Sequence, residues 1–117
     1  MFVELHCHSV FSLLDGASEP GALVARARAL GMPALALTDH DDLGGAVRFA
    51  QAAREAEIGG ILGCELTLEA DGAPSHVVLL AESRVGYGNI ASLITRGRMD
   101  NPRGSPLVSL DTLARHT

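Results

Sequence analysis

Tryptophan, lysine and long apolar runs are absent from this sequence of 117 residues. Aromatic residues make up 3% of the chain and hydrophobic residues 47%, which predicts a globular core of aliphatic side chains and alanine. No apolar stretch approaches the roughly 20 residues that span a bilayer, and the N-terminus lacks the basic and apolar regions of a secretion signal. We therefore expect a cytoplasmic protein without a membrane partner.

Cysteine is scarce. Cys7 and Cys64 are too few for a disulfide framework, and both are expected to be core thiols. The absence of lysine excludes a P-loop, whose lysine contacts nucleotide phosphates. The formal net charge is −5, from 14 acidic and 9 basic residues. Because phosphate contacts require clustered positive charge, this stretch of chain by itself is not expected to bind nucleic acid tightly.

Strands and helices alternate in the first 65 residues, in the order strand, helix, strand, helix, strand. The predicted elements are residues 2–6, 20–30, 34–38, 47–57 and 58–65, with Ser18 as the expected cap of the first helix. The run at 34–38 is continuously apolar, which is typical of a strand buried on both faces. The connections are long enough for parallel pairing, so the pattern predicts an α/β fold.

The rest of the chain predicts a hairpin and two more helices. A turn at Asp71 and Gly72 joins the third strand to residues 76–82, a helix follows at 85–98, and Ser109 caps a last helix. In a parallel sheet each helix leads to another strand, whereas this chain ends on a helix. We therefore expect residues 1–117 to be the N-terminal half of a larger domain.

Metal-ligand side chains follow three successive predicted strands. His6 and His8 lie two residues apart, so their rings leave one face of a strand about 7 Å apart. Asp15 lies in the loop after them, His40 follows the second strand, and Glu65 ends the third. The carboxyl ends of parallel strands share one rim, which is where ligands bind in such folds. The spacing predicts that these side chains meet at one site.

Each of these residues also has a plain interpretation as a solvated or hydrogen-bonded side chain, and it is their combination that indicates a metal. Imidazole and carboxylate without thiolate suit Zn²⁺, Mn²⁺ or Fe²⁺ and disfavour Ca²⁺ or Mg²⁺ alone. More than four ligands predict more than one ion. Clustered divalent ions activate water and bind both oxygens of a phosphoryl displacement, so phosphoester hydrolysis is the expected reaction class.

Longer motifs support a family resemblance. LHCHSVFSLLDGAS, ALTDHDDLGGAVRFA, ILGCE and SHVVLLAESRVGYGNIASLITRGRM together resemble the PHP (polymerase and histidinol phosphatase) domain. The LLDG and HVVLLAES…GYGN stretches are similar to the version of this domain at the N-terminus of bacterial C-family DNA polymerase III alpha subunits, in particular the error-prone, DNA-repair type. The resemblance covers nearly the whole chain.

The resemblance implies a distorted β/α barrel, of which this chain is the N-terminal part only, with a site for about two or three divalent ions, Zn, Mn or Fe. Carried over by motif, the metal ligands are His6, His8, Asp15, His40, Glu65 and His76. His76 begins a strand rather than ending one, so it reaches the site only if the hairpin reverses the chain. Asp39, beside His40, is interpreted either as a carboxylate that orients a ligand or as a local turn former.

The sequence is consistent with three functions. The leading hypothesis is the N-terminal part of an error-prone DNA polymerase, whose remaining chain would bind DNA, deoxynucleotides and repair or replication accessory proteins. The alternatives are a free-standing PHP phosphatase acting on a small phosphoester, such as histidinol phosphate or a nucleotide, and a scaffold that metals only stabilise. A cysteine and an Asp-x-His that continue the family pattern are not present here.

Overall fold

Four helices and four strands make up the computed structural model, which describes every residue from Met1 to Thr117. In chain order they are α1 (Pro20–Ala29), β1 (Ala34–His40), α2 (Ala46–Ala56), β2 (Gly59–Ala70), β3 (Ala73–Leu80), α3 (Arg84–Met99), β4 (Val108–Ser109) and α4 (Leu110–Ala114). The predicted α/β class is confirmed. None of these helices combines the length and apolarity that a bilayer crossing requires.

The long strand β2 organises the sheet. Its first part pairs in parallel with β1, and its second part pairs with the antiparallel β3 and with two residues of β4. The parallel register aligns His40 with Glu65, so the last residue of β1 lies beside the middle of β2 on the same face. The sheet stays open, as expected for part of a barrel.

The prediction of a first strand at residues 2–6 is wrong, because this segment does not form a regular strand. The structure has only an isolated parallel bridge between Glu4 and Leu35. The N-terminal segment (residues 2–8) still satisfies the outer edge of β1, because the carbonyls of Glu4 and Cys7 accept hydrogen bonds from the amides of Ala36 and Thr38. Regular pairing ends there because the amide of His6 donates to the carboxylate of Glu4 and the amide of Cys7 to the hydroxyl of Thr38, and neither donates to a backbone carbonyl of β1.

Helices α1 and α2 cover one face of β1. Their core cluster contains the aromatic side chain of Phe49, fully buried among the aliphatic residues Val24, Leu35 and Leu37. Ala46, Phe49 and Ala53 form the buried face of α2, and Val47 is 69% exposed. The N-cap of α1 is Glu19 rather than Ser18, and Pro20 takes the first turn as predicted.

Helix α3 packs on β2 and β3 around a second aliphatic cluster. Ile90, Leu93 and Ile94 form its buried face, and they meet Cys64 and Leu66 of β2. The two clusters hold the helices against one side of the sheet. The opposite side, which carries His40 and Glu65, is therefore left for the ligand-type side chains.

A two-residue turn sets the register of the β2–β3 hairpin. Asp71 and Gly72 both have positive φ, 52° and 76°, as the tightest hairpin turns require. The resulting register places His76 opposite Thr67, two residues beyond Glu65. The predicted turn is confirmed.

Gly63 is required where β2 passes β3, because a Cβ there would lie 2.1 Å from the carbonyl oxygen of Leu79. We predict that Gly63→Ala lowers the free energy of unfolding by about 2–3 kcal/mol, since the strands must separate to admit the methyl group. Urea unfolding measures the change. Gly88→Ala is the control: this exposed helical position has nothing within 4 Å of the new Cβ, so stability should rise by about 1 kcal/mol. Equal effects at both glycines would contradict the steric explanation.

Candidate metal centre

The structure brings all six residues of the predicted ligand set to one rim of the sheet. Two come from the N-terminal segment, one from the loop of residues 9–16 (the Asp15 loop), and one each from β1, β2 and β3. In that order they are His6, His8, Asp15, His40, Glu65 and His76. Their proximity confirms the predicted convergence, and their role as ligands stays a prediction.

Glu65 lies at the centre, with its side chain only 7% exposed. One carboxylate oxygen, Oε1, contacts Nε2 of His6 and lies 3.1 Å from Nε2 of His8. The other, Oε2, lies 3.2 Å from Nδ1 of His40 and 3.7 Å from Nδ1 of His76. One buried carboxylate thus contacts all four imidazoles.

Asp15 is the second carboxylate of the site and is half exposed. Its Oδ2 lies 2.7 Å from Nδ1 of His8 and 3.1 Å from Nε2 of His40. Unlike Glu65 it is held by a loop, whose turn needs Gly16 because a Cβ there would lie 1.8 Å from the carbonyl oxygen of Ser9. Asp15 therefore depends on the conformation of that loop for its position.

His76 reaches the site through the hairpin. The antiparallel return of β3 puts it opposite Thr67, on the face that carries Glu65. Its ring centroid lies 5.3 Å from that of His40. The condition set by the sequence, a chain reversal before His76, is met.

Both ring nitrogens of His8 and of His40 face carboxylate oxygens of Asp15 and Glu65. A neutral imidazole carries a single N–H, so hydrogen bonds alone would require both rings, whose centroids are 4.4 Å apart, to be doubly protonated. A divalent cation removes that requirement, because neutral imidazoles and carboxylates are both its ligands. The donor set therefore fits a divalent metal.

The donor atoms form three groups, each with its atoms within 4.8 Å of one another. The groups are His6, His8 and Glu65; His8, Asp15 and His40 (the Asp15 group); and His40, Glu65 and His76. Three residues belong to two groups each. Shared ligands suit neighbouring ions, as in multinuclear hydrolytic sites.

The site keeps its central carboxylate ionised. Burial by itself would raise the pKa of Glu65, but hydrogen bonds from His6 and His8 and the positive charge of His40 lower this pKa below its ordinary value. Lowering the pKa of a carboxyl favours the charged form that binds cations.

Asp39 does not orient a ligand ring directly, contrary to one interpretation of the sequence. Side chains alternate along β1, so Asp39 faces away from the ring of His40. Its fully buried carboxylate accepts hydrogen bonds from the amide and hydroxyl of Ser9, at 2.6 and 2.7 Å, and from the hydroxyl of Ser12 at 2.7 Å. It therefore anchors the Asp15 loop to the sheet.

Sequence reasoning also missed the structure that holds the turn after His40. Asp41 has a positive φ of 48°, and its carboxylate accepts hydrogen bonds from the amide and hydroxyl of Thr67. The guanidinium of Arg98 donates to the Asp41 carbonyl at 2.6 and 3.0 Å. The stretch after His40 indicates a loop, but the residues that hold its turn, Thr67 and Arg98, lie far along the chain.

Thiolate ligation is not part of this site. Cys64 is fully buried on the opposite face, beside α3, and burial together with Asp41 and Glu65 raises its pKa to about 12. Cys7 is half-buried, and burial with nearby Glu4 and Asp39 also raises its pKa. Both cysteines are free thiols, as predicted.

We predict that Cys64 in the folded protein reacts with Ellman's reagent at least about tenfold more slowly than Cys7 at pH 8, because a buried thiol of raised pKa supplies almost no thiolate. Absorbance of the released thiol measures the two phases. Cys7→Ala should remove the faster phase alone. Two phases as fast as those in the urea-unfolded protein would contradict the burial of Cys64.

A comparison with protein families matches the PHP domain over residues 4–117. Among curated relatives, the chain is 52% identical over 106 residues to an error-prone DNA polymerase from Symbiobacterium thermophilum, covering 90% of this chain. It is 49% identical over 110 residues to an error-prone DNA polymerase from Bordetella parapertussis, covering 92%. In both cases the chain spans only 10% of the relative's length.

Solved structures with a similar fold include hydrolases. A protein from Bifidobacterium adolescentis assigned as a metal-dependent phosphoesterase matches with a TM-score of 0.69 and 31% identity, over 82% of this chain and 32% of that one. An amidohydrolase from Chromobacterium violaceum with bound sulfate and no metal matches with a TM-score of 0.68 and 32% identity, over 82% and 33% of the two chains. The architecture is thus part of a larger known fold.

Proposed function

Since the chain belongs to the PHP domain family, we propose that its rim site binds divalent cations and supports metal-dependent phosphoester hydrolysis. One observation carries the proposal: the buried Glu65 carboxylate contacts four imidazoles, two of which also contact Asp15. A purely structural cluster would leave these rings competing for protons. Cations satisfy every donor at once.

The ions would be held by the three overlapping groups. His6, His8 and Glu65 would hold one, the Asp15 group a second, and His40, Glu65 and His76 a third. Bound ions of this kind supply an activated water and neutralise phosphoryl oxygens. The chain itself contributes neutral imidazoles, a buried carboxylate that stays ionised, and a rim that is open to solvent at Asp15 and His76.

We further propose that this chain is the N-terminal part of an error-prone DNA polymerase, which extends primers during lesion-tolerant repair synthesis. The sequence identity of 52% to such a polymerase supports the polymerase proposal. The phosphatase alternative is supported by a structural match of lower sequence identity, 31%. The parts of the protein outside these 117 residues would bind DNA, deoxynucleotides and accessory proteins.

Replacing Glu65 tests the metal proposal most directly. We predict that Glu65→Gln weakens binding of Mn²⁺ or Zn²⁺ by at least about 100-fold, because a neutral amide removes the charge shared by two donor groups. Calorimetric titration measures binding, and release of p-nitrophenol from an aryl phosphodiester measures hydrolysis. Glu82→Gln, an exposed carboxylate after β3, is the control and should change neither quantity. Metal binding that persists in Glu65→Gln would contradict the assignment.

Catalysis needs its own test, since metals could serve folding alone. We predict that His8→Ala reduces phosphodiester hydrolysis at saturating Mn²⁺ by at least about 100-fold, because His8 belongs to two donor groups. If His8→Ala lost bound metal but hydrolysed the phosphodiester at an unchanged rate, the metal site would be structural rather than catalytic.

Acidification should weaken metal binding. Protons compete with metal ions for imidazole and carboxylate ligands, and we consider the interval from about pH 7.5 to 5.5, in which the lowered pKa of Glu65 keeps that carboxylate ionised. We predict at least about a tenfold loss of apparent affinity over that interval, because each imidazole must lose its proton before it binds. Competition with a chromophoric chelator at each pH measures this. A flat profile would show that these histidines are not ligands.

The polymerase proposal is tested on the protein from its native source. We expect intact mass spectrometry to find a chain roughly ten times as long as these 117 residues, in line with the 10% coverage of the relatives. The purified protein should extend a primer across a template with an abasic site. A mature chain of about 250 residues, the size of one barrel, that hydrolyses histidinol phosphate or a nucleotide would instead favour the free-standing phosphatase.

A further inference from the structure

Several hydrogen bonds of the Asp15 loop are made by Ser12. Its amide donates to the carbonyl of Ser9, and its own carbonyl accepts the amides of Asp15 and Gly16 at 3.0 and 2.9 Å. The side chain is 2% exposed, so its hydroxyl makes its contacts inside the protein. The backbone of the candidate ligand Asp15 is therefore tied directly to Ser12.

The same hydroxyl also reaches the strand that carries His40. It donates to the carboxylate of Asp39 at 2.7 Å and accepts the amide N–H of His40 at 3.0 Å. That amide is the third on the outer edge of β1 after those of Ala36 and Thr38, whose partners are backbone carbonyls. Ser12 thus takes the place of the strand that is missing at this edge.

We infer that Ser12, held by Asp39, is a positioning residue that sets the distance between Asp15 and His40 and so determines how tightly the Asp15 group binds its ion. This inference rests on the metal binding proposed above. The other two groups are built on Glu65 and contain no residue of the loop. Each of them shares only one residue with the Asp15 group, His8 or His40, so loosening Ser12 should weaken the ion of the Asp15 group far more than the other ions.

Backbone strain in the loop makes this dependence stronger. Leu14, directly before Asp15, has a positive φ of 66° although it is fully exposed and gains nothing from packing. Such a conformation costs a branched side chain energy and persists only when its surroundings impose it. The hydrogen bonds of Ser12 on either side of the turn provide that constraint.

The test is a titration of the purified protein with Mn²⁺, comparing Ser12→Ala with the unsubstituted chain. We expect one equivalent of Mn²⁺ to bind about 10–100-fold more weakly in Ser12→Ala, the usual effect of removing a residue that orients a ligand, and the other equivalents to be weakened much less. Ser83→Ala, which removes the capping hydroxyl of α3 at a distance from the site, is the control and should leave every equivalent unchanged.

A double-substitution cycle separates positioning from general loosening. Asp15→Asn should weaken the same equivalent, and adding Ser12→Ala to it should produce little further loss, because the two residues act on one ion. Uniform weakening of all equivalents, full additivity, or no effect of Ser12→Ala would overturn the inference. If the unsubstituted protein binds no Mn²⁺, the proposed function fails together with this inference. If it binds Mn²⁺ but Ser12→Ala has no selective effect, only this inference fails.

Discussion

The contact of one buried carboxylate with several imidazoles is the constraint on which the site depends. Glu65 is brought beside His40 by the parallel pairing of β1 with β2, and beside His76 by the antiparallel pairing of β2 with β3. Placing such a group in a nearly dry position is costly without compensating charge or hydrogen bonds. The helices cover the opposite face of the sheet, so the compensation must come from the imidazoles that lie beside Glu65.

Much of this arrangement could be predicted from local sequence. The apolar run of β1, the helical periodicity of α3 and the turn at Asp71 and Gly72 each follow from short-range chemistry and are confirmed. The ligand-type residues at strand ends could be found in the same way, because parallel strands place their carboxyl ends on one rim. His76 was expected from the family resemblance on the condition that the hairpin reverses the chain, and the structure meets that condition.

The remainder could not be predicted, because it depends on contacts between distant segments. Residues 2–6 have the composition of a strand, yet the hydroxyl of Thr38 takes the amide of Cys7 and ends the regular pairing. Asp39 looked like a partner for an imidazole, and only the strand's alternation together with Ser9 and Ser12 shows that it anchors a loop. Side-chain hydrogen bonds of this kind leave little trace in periodicity.

The tight turn at Asp71 and Gly72 also limits how the chain can change in length. Side chains alternate between the two faces of a strand, so a one-residue insertion that shifts the pairing of β3 by one position would move His76 to the face covered by α3. It would also bring Val77 to the rim in its place. A change in the length of this hairpin should therefore displace a candidate ligand, whereas most exposed loops tolerate insertions and deletions.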